Sequence, residues 1–377
     1  MLSSEVHPLL FALVKKEASP ESLEVPEWQQ VLVEADEHGL LWHLGNAEAI
    51  PAEVREQLRQ QSLVVMARNL AMAGEVRRCL RVLRHAGVDC APIRGIALMD
   101  RVYGEIVARP MGDIDLLVRR GQTHALREAL SSLGYREVDR RPGFSEDFSY
   151  SLKFLVERSF TIVLDPHLSI AYPPALARLD MEAVWERCSP AIVAGERTLS
   201  LSDEDLLLHL TLHMAHRDHP PLVWLWELDW LLRTAGGDLD WGLLVASAYE
   251  IGVEHIVGAV LAELESSLAT PIPTEVSSRL MPAGTRGRRP LAQEMAGLSD
   301  VPEREGLAQL LALEGWGRKS RYLLALLLPS SEFMMQQYGL RSRLQLPRAY
   351  VRRALGFGWC GVRGITHLLL SRPGTRE

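Results

Sequence analysis

The sequence predicts an α+β protein in which a small mixed sheet is flanked by a helical N-terminal segment and a mainly α C-terminal half. Apolar residues recur at three- and four-residue intervals in the first and last parts of the chain, as in helices with one buried face. Between them, short β-branched and aromatic runs separated by turn residues are typical of strands. The predicted organisation is a helical region (1–87), an α/β core (88–200) and an α-helical domain (201–377).

The longest amphipathic pattern of the N-terminal segment runs from Pro51 to about His85. Apolar side chains there share one helical face and polar side chains fill the other, which predicts a long helix packed on a core. Gly87 supplies a stop signal for this helix. The short apolar run Val88–Ile93 then predicts a strand.

The predicted core alternates between helix and strand patterns. A helix is predicted over Gly95–Tyr103, and another from Gly121 to Leu133. Between them, the run from Asp113 to Val118 becomes wholly apolar, which is typical of a strand buried in a sheet. Three further strands are predicted where β-branched or aromatic residues cluster: Tyr135–Val138, Phe148–Val156 and Phe160–Asp165.

Long helical periods dominate the chain beyond Ser202. They predict helices over Leu206–Ala215, Leu222–Leu232, Trp241–Leu268 and Leu307–Leu328. The segment Pro282–Pro290, which contains two glycines and three arginines, predicts an exposed loop. No apolar run approaches the roughly 20 residues that span a bilayer, so no membrane segment is expected.

Composition and charge narrow the functional classes. The apolar fraction of 47% allows full cores, and a formal charge of −7 argues against general binding to nucleic-acid phosphates. Four cysteines without CxxC spacing argue against a zinc knuckle or a disulfide framework. The apolar run Pro8–Val14 lacks the basic segment of a secretory signal. A cytoplasmic protein without membrane or general nucleic-acid partners is therefore expected.

The sharpest functional signal is the segment Arg109-Pro-Met-Gly-Asp113-Ile-Asp115-Leu-Leu-Val118. Residues two apart in a strand point to the same face, so Asp113 and Asp115 place two carboxylates side by side. Such a pair repels unless a cation neutralises it, and Mg²⁺ takes oxygen ligands from one or two carboxylates plus substrate phosphates. Taken alone, a pair of this kind is often only a solvated strand edge.

A third acid strengthens the metal-site interpretation. Asp165 ends the apolar strand pattern, where a half-buried carboxylate is costly without a partner. Three carboxylates from neighbouring strands would form a two-metal site for an in-line displacement. His167 would share the side of Asp165, and Arg94-Gly95 would place a cation and an open backbone near triphosphate oxygens.

These motifs together resemble the DNA polymerase β-type nucleotidyltransferase superfamily, and more closely its bacterial branch of uncharacterised nucleotidyltransferases. In that branch Lys-Gly precedes a helix, an arginine is followed by Asp-Ile-Asp-Leu-Leu-Val, and Asp-x-His comes later. The matching segments here lie between Pro92 and His167. The resemblance extends more weakly into the histidine-rich and tryptophan-rich helices that follow.

The resemblance implies Mg²⁺-dependent transfer of a nucleoside monophosphate from an NTP, with ATP the expected co-substrate, and release of pyrophosphate. It implies that Asp113, Asp115 and Asp165 are the catalytic residues and the ligands of two Mg²⁺ ions. Nucleotide contacts are expected from the residues around them: Arg94, Gly95, Arg109, His167, His213 and His216. The acceptor, whether small molecule, peptide or protein, is not predicted.

Two alternatives remain open. Ile96 stands where the superfamily usually carries Ser or Gly, which favours a nucleotide-binding or antitoxin-like module with little turnover. Arg94 replaces the usual Lys of the branch, which keeps the charge but not its geometry. The second alternative is a metal hydrolase centred on His209, His213 and His216, which share one helical face. The absence of an HExxH motif makes the hydrolase the weaker of the two.

The tryptophan-rich helix is predicted to serve the core. Trp224, Trp226 and Trp230 recur with neighbouring leucines at helical spacing, which is typical of packing residues. Either Glu227 or Asp229 matches an acid that related sequences carry in this helix. The sequence assigns neither of them a role.

Overall fold

The computed structural model describes residues 8–14, 25–45, 50–104, 109–138, 144–173, 175–217, 219–280, 309–310, 312–340 and 342–357. The helices before the sheet are α1 (Pro8–Val14), α2 (Val25–Glu37), α3 (Leu41–Gly45) and α4 (Ala52–His85). The long helix predicted from the apolar spacing is confirmed by α4. Its buried residues include Val76, Leu80 and Leu83, which recur at the predicted three- and four-residue intervals.

A five-stranded mixed sheet has the strand order β1-β2-β5-β4-β3. Its strands are β1 (Cys90–Pro92), β2 (Ile114–Val118), β3 (Arg136–Val138), β4 (Lys153–Glu157) and β5 (Thr161–His167). The β2 and β5 strands are parallel, and the other neighbouring pairs are antiparallel. β2 is buried along its whole length, as its apolar run predicts.

Short helices connect these strands. Helix α5 (Ile96–Leu98) continues into a π-helical turn (Met99–Tyr103) after β1, and α6 (Thr123–Ser132) follows β2. Helix α7 (Phe144–Asp147) lies between β3 and β4. The helix patterns predicted after β1 and β2 are thus confirmed, although the first includes a π-helical turn that its periodicity did not indicate.

The strand predicted to begin at Phe148 was wrong in its first half, because regular pairing in β4 begins only at Lys153. The Phe148 ring packs edge-on against Tyr322, with ring centroids 5.0 Å apart, and also contacts Phe144. The Phe148 side chain therefore fills a separate small core. Aromatic residues are common in such cores as well as in strands, so aromatic content alone could not show that Phe148 lies outside β4.

The later part of the chain is mainly helical. Helix α8 (Met181–Glu186) precedes an antiparallel hairpin of β6 (Ser189–Val193) and β7 (Glu196–Ser200). The following helices are α9 (Asp203–Ala215), α10 (Leu222–Ala235), α11 (Trp241–Ile251), α12 (Glu254–Leu268), α13 (Thr274–Leu280), α14 (Trp316–Leu327) and α15 (Ser331–Gln337). Residues 346–357 are also helical.

The single helix predicted over Trp241–Leu268 was wrong, because the chain forms two helices there. Gly252 ends α11 with φ +74°, a left-handed conformation that glycine adopts readily and that cannot continue a helix. The single helix predicted over Leu307–Leu328 was also wrong: residues 309, 310 and 312 are helical, but the helix is interrupted at 313–315, where Gly315 has φ +79°, and α14 begins at Trp316. The loop predicted at Pro282–Pro290 lies outside the described residues.

Apolar side chains cover both faces of the sheet. On one face, Leu116 and Leu164 pack in a cluster that includes side chains of α4 and α6. On the other, Ala91 and Leu117 belong to a larger cluster with Leu208 and other residues of the later helices. The α+β class is therefore confirmed, while the domain boundaries near residues 87 and 200 stay predictions.

None of the helices in the described ranges has both the length and the apolar character needed to cross a bilayer.

Candidate functional site

Three aspartates converge on one side of the sheet. Asp115 and Asp165 are paired directly across the parallel strands β2 and β5, so their side chains lie next to each other on one face. Asp113 immediately precedes β2, two residues from Asp115. One carboxylate oxygen of each aspartate lies within 4.8 Å of those of the other two. The two-residue spacing and the parallel register together produce this cluster.

The cluster is electrostatically costly in the absence of a cation. Asp115 is only 4% exposed, and the other two aspartates are half-buried. Burial, and then the Asp115 carboxylate, raise the pKa of Asp113. Burial, followed by the neighbouring carboxylates of Asp115 and Asp113, raises the pKa of Asp165 to about 6. Both residues therefore lie where a negative charge is poorly compensated.

The donor set fits a divalent cation of the Mg²⁺ class. Asp165 Oδ1 is buried and accepts no hydrogen bond from the residues that the structure describes. A buried, unpaired carboxylate oxygen is costly, whereas a hard cation would both bind it and neutralise its neighbours. Among the described histidines, cysteines and acids, these three aspartates form the group of potential ligands close enough to share an ion. The described histidines of α9 belong to no such group.

Arg94 compensates the charge of Asp115. Its Nη2 donates a hydrogen bond to Asp115 Oδ1, and His167 Nε2 lies 3.0 Å from the same oxygen. The Arg94 side chain is 12% exposed, and its Nη1 lies 2.7 Å from His213 Nδ1. Burial alone would raise the pKa of Asp115, but Arg94 and His167 outweigh it and hold that pKa far below its usual range. Arg94, the residue predicted to contact the triphosphate, therefore packs against the carboxylate of Asp115.

Gly95 lies at the turn between β1 and α5. Its φ is +52°, and its carbonyl accepts hydrogen bonds from the backbone N–H groups of Leu98 and Met99. A Cβ at this position would lie 3.2 Å from Met111 Sδ, closer than ordinary packing allows. Both the backbone conformation and the space therefore favour glycine here.

His209 and His213 of α9, and His216 directly after it, form part of a stacked aromatic wall. The ring of His216 stacks on Tyr172 with centroids 4.5 Å apart, and His213 packs against Trp224 at 4.2 Å. Deeper in the helix, His209 Nδ1 lies 2.8 Å from the Ile170 carbonyl oxygen. These imidazoles therefore have packing and hydrogen-bond partners from several elements.

The charge of two of these imidazoles follows from the same surroundings. Burial, and then Arg94, lower the pKa of His213 well below its usual value. The same two causes lower the pKa of His209 to about 3. Both rings are therefore neutral at physiological pH, and they add no positive charge to the site.

A cavity of about 530 Å³ opens beside the acids. Its volume lies within the range of about 300–1,000 Å³ typical of small-molecule sites. Its lining comes from the sheet, from the segment after β5 and from the end of α9: Arg94, Asp113, Tyr150, Ser151, Asp165, His167, Tyr172, His213, His216, Arg217 and His219. The predicted residues Arg94, His167, His213 and His216 thus share one cavity with two of the acids.

Sequence reasoning did not identify Tyr172 or Arg217 as cavity residues. Tyr172 belongs to no motif, and its hydroxyl lies 2.8 Å from His213 Nδ1, in a hydrogen bond that forms only because the segment after β5 packs against α9. Arg217 is exposed, and no acid in the described ranges forms an ion pair with it. Its position directly after the histidine-rich helix was the one available signal for a cation at the cavity mouth.

Arg109 lies outside the described cavity lining, in a buried ion pair. Its Nε and Nη2 donate to the two carboxylate oxygens of Glu227 at 2.6 and 2.9 Å, and Tyr103 OH donates to the same carboxylate. Both side chains of the pair are less than one-tenth exposed. The pair connects α10 to the segment that leads into β2. The sequence predicted a nucleotide contact for Arg109, but its guanidinium is buried against Glu227 and does not line this cavity.

Comparison with known families adds a classification. A family model described as "Uncharacterised nucleotidyltransferase" matches residues 5–267, more than half of the 377-residue chain. The matched segment contains the whole sheet, the three aspartates and all residues that line the cavity. No protein of curated function and no solved structure matches the chain.

Proposed function

The chain belongs to the family of uncharacterised nucleotidyltransferases, and we propose on this basis that it transfers a nucleoside monophosphate from an NTP to an acceptor and releases pyrophosphate. The observation that carries the proposal is the convergence of Asp113, Asp115 and Asp165 beside a cavity of nucleotide-binding size. Two Mg²⁺ ions and ATP are the proposed cofactor and co-substrate. The motif order supports a place within the DNA polymerase β-type superfamily.

In the proposed reaction the three aspartates hold the metal. When bound, Mg²⁺ supplies positive charge that stabilises the entering and leaving oxygens at the α-phosphorus. Asp115 is kept ionised by Arg94 and His167, and is therefore a fixed anionic ligand. Asp165 lies in the same cluster and lines the cavity, where its carboxylate can also take the proton of the acceptor hydroxyl.

Nucleotide binding is assigned to the residues around the acids. Arg217 is the exposed cation at the cavity mouth, and we assign it to the β- and γ-phosphates, which carry most of the triphosphate charge. The guanidinium of Arg94 is directed to Asp115 and the His213 ring, so its role is to fix the acid. Tyr172 and His216 form a flat stacked wall on which a base or ribose could pack.

A direct test combines each α-³²P-labelled NTP with the protein, Mg²⁺ and an extract of host cells. We expect ATP-dependent labelling of an acceptor together with release of pyrophosphate. Asp113→Asn and Asp115→Asn should each reduce the transfer rate at least about 100-fold, because electrostatic stabilisation by positioned charge is a large part of such catalysis. Asp147→Asn, which removes an exposed acid outside the cavity lining, is the matched control.

One observation favours the module with little turnover as a second candidate. Arg94 already pairs with an oxygen of Asp115 that a metal would otherwise approach. The same experiment separates the two candidates. If the wild-type protein binds NTP but releases no pyrophosphate at any concentration of the host-cell extract, the result would favour the module and reject the transferase.

A further inference from the structure

A second, smaller cavity adjoins the first at Asp165. Its volume is about 240 Å³, below the range of about 300–1,000 Å³ typical of drug-sized ligands. Its described lining is mainly polar: Glu137, Val138, Ser145, Ser149, Tyr150, Ser151, Leu152, Lys153 and Asp165. Three of these residues, Tyr150, Ser151 and Asp165, also line the larger cavity. The two spaces therefore meet at one of the three candidate metal ligands.

The two adjoining cavities match the geometry that phosphoryl transfer requires. In an in-line displacement, the attacking oxygen and the leaving oxygen lie on opposite sides of the phosphorus. A triphosphate in the larger cavity, with its α-phosphorus at the aspartates, leaves the entering oxygen to approach from another direction. The described lining of the smaller cavity reaches Asp165 from β3 and β4 and includes no residue of α9.

The charges around the smaller cavity indicate which acceptor it suits. The Glu137 carboxylate receives two hydrogen bonds from Arg127, at 2.9 and 3.0 Å, so its charge is balanced within the protein. Asp165 faces the other carboxylates and the proposed metal. Lys153 is exposed, and no acid in the described ranges forms an ion pair with it. Lys153 lies close enough to Asp165 for its charge to act on that carboxylate. With the charge of Asp165 taken by the proposed metal, Lys153 is the cation left to bind an anionic group at this cavity.

We propose that the smaller cavity binds the acceptor, and that the acceptor is a small molecule carrying both a hydroxyl nucleophile and an anionic group, such as a carboxylate or a phosphate. Lys153 binds the anionic group, and the hydroxyl points to Asp165. The assignment rests on the proposed nucleotidyl transfer. The acceptor O–H bond breaks as its oxygen bonds to the α-phosphorus, the bond from that phosphorus to the bridging oxygen breaks, pyrophosphate leaves, and the proton passes to Asp165.

The acceptor class can be tested without knowing the acceptor. A host-cell extract is passed through a small-pore filter, and the filtrate is separated by anion exchange before any nucleotide is added. Each fraction, and the retained macromolecules, are then incubated with α-³²P-labelled ATP, Mg²⁺ and the full-length protein. Labelled product from the anion-retained small molecules is expected.

The outcomes separate this inference from the proposed function. Labelling only of unretained small molecules, or of protein or RNA, would overturn the acceptor assignment and leave nucleotidyl transfer intact. Labelling of nothing, with no pyrophosphate released, would reject both. A phosphatase treatment of the active fraction before the reaction distinguishes a phosphate ester from a carboxylate as the source of the anionic charge.

A substitution tests the position of the cavity. In the active fraction, Lys153→Met should raise the acceptor concentration needed for half-maximal rate at least about tenfold, the effect of losing one charged contact. The KM for ATP should change less than about twofold. Arg136→Met is the matched control, since Arg136 is an exposed cation on the neighbouring strand β3 outside this cavity lining. Equal effects of the two substitutions would place the acceptor elsewhere.

Discussion

Asp115 and Asp165 are direct neighbours across two strands, but they have opposite electrostatic surroundings. Arg94 and His167 contact Asp115 and lower its pKa, whereas burial and two nearby carboxylates raise the pKa of Asp165 to about 6. Environments that push the pKa values of paired carboxylates apart often assign them different chemical roles. In the metal-free protein they keep Asp115 ionised and allow Asp165 to take up a proton.

Replacing Asp165 with Asn should stabilise the metal-free protein while abolishing transfer. A pKa raised from 3.8 to about 6 means that folding disfavours the ionised carboxylate, so its contribution to stability is present below about pH 4 and is lost as pH rises to about 6. At pH 7.5 in EDTA, we expect Asp165→Asn to raise the free energy of unfolding by about 1–3 kcal/mol. Urea denaturation at pH 7.5 and pH 3.5 measures this, and a gain that is equal at both pH values would contradict it.

Removing the cation beside Asp115 should have the opposite effect. Arg94→Met would leave the Asp115 carboxylate buried beside Asp113, with His167 as the basic side chain still in contact with it. Breaking a buried ion pair from one side typically costs about 3–5 kcal/mol. The double variant Arg94→Met/Asp115→Asn should recover a large part of that loss, as measured by urea denaturation. A double variant as unstable as the single one would show that Arg94 acts through packing alone.

At the scale of elements, the site depends on an anchor between α10 and the segment before β2. The Arg109 side chain binds Glu227 of α10, while the Arg109 carbonyl accepts a hydrogen bond of 2.7 Å from Asn69 of α4. Two helices thus hold the segment that delivers Asp113 and Asp115. The π-helical turn contributes Tyr103 to the same carboxylate.

Breaking this anchor should weaken metal binding at a distance. Glu227→Leu leaves the Arg109 guanidinium buried without its partner, and we expect a loss of about 3–5 kcal/mol in the free energy of unfolding. The affinity for Mn²⁺, measured by electron paramagnetic resonance, should fall with it because the two acids lose their support. Glu56→Gln, at an exposed ion pair of α4, is the control and should leave Mn²⁺ affinity unchanged. Unaltered Mn²⁺ affinity of the Glu227→Leu variant would contradict a role of the Arg109–Glu227 pair in positioning the two aspartates.

The sequence predicted the aspartates of the site but not the residues that hold them in place, and the reason is physical. Asp113 and Asp115 are two residues apart, and strand periodicity alone places them side by side. The partners Arg109 and Glu227 are 118 residues apart, and only tertiary packing brings them together. The break at Gly252 and the aromatic use of Phe148 were missed for the same reason, since local patterns are compatible with both outcomes.

At the scale of the whole molecule, helices that come before and after the sheet in the chain cover its two faces. Ala91 and Leu117 on one face pack in a single cluster with residues of the helices after residue 201. The end of α9 also supplies His213, His216 and Arg217 to the cavity. The fold therefore couples the late helices to both the core and the site.

This packing predicts that the α/β core will not fold well without the later helices. A fragment of residues 1–200 would expose the apolar face that includes Ala91, Ile93 and Leu117. We expect it to aggregate or to lose cooperative thermal unfolding in calorimetry, whereas a fragment of residues 1–280 should unfold cooperatively. A soluble 1–200 fragment with a sharp transition would instead support the predicted boundary near residue 200.

The position of a bound divalent cation tests the central claim most directly. Crystals grown with Mn²⁺ and a non-hydrolysable ATP analogue would be examined by anomalous diffraction at the manganese edge. We expect anomalous peaks bounded by the carboxylates of Asp113, Asp115 and Asp165, with the α-phosphate of the analogue beside them. Manganese bound elsewhere, or a nucleotide whose α-phosphate lies away from these three aspartates, would contradict the proposed site.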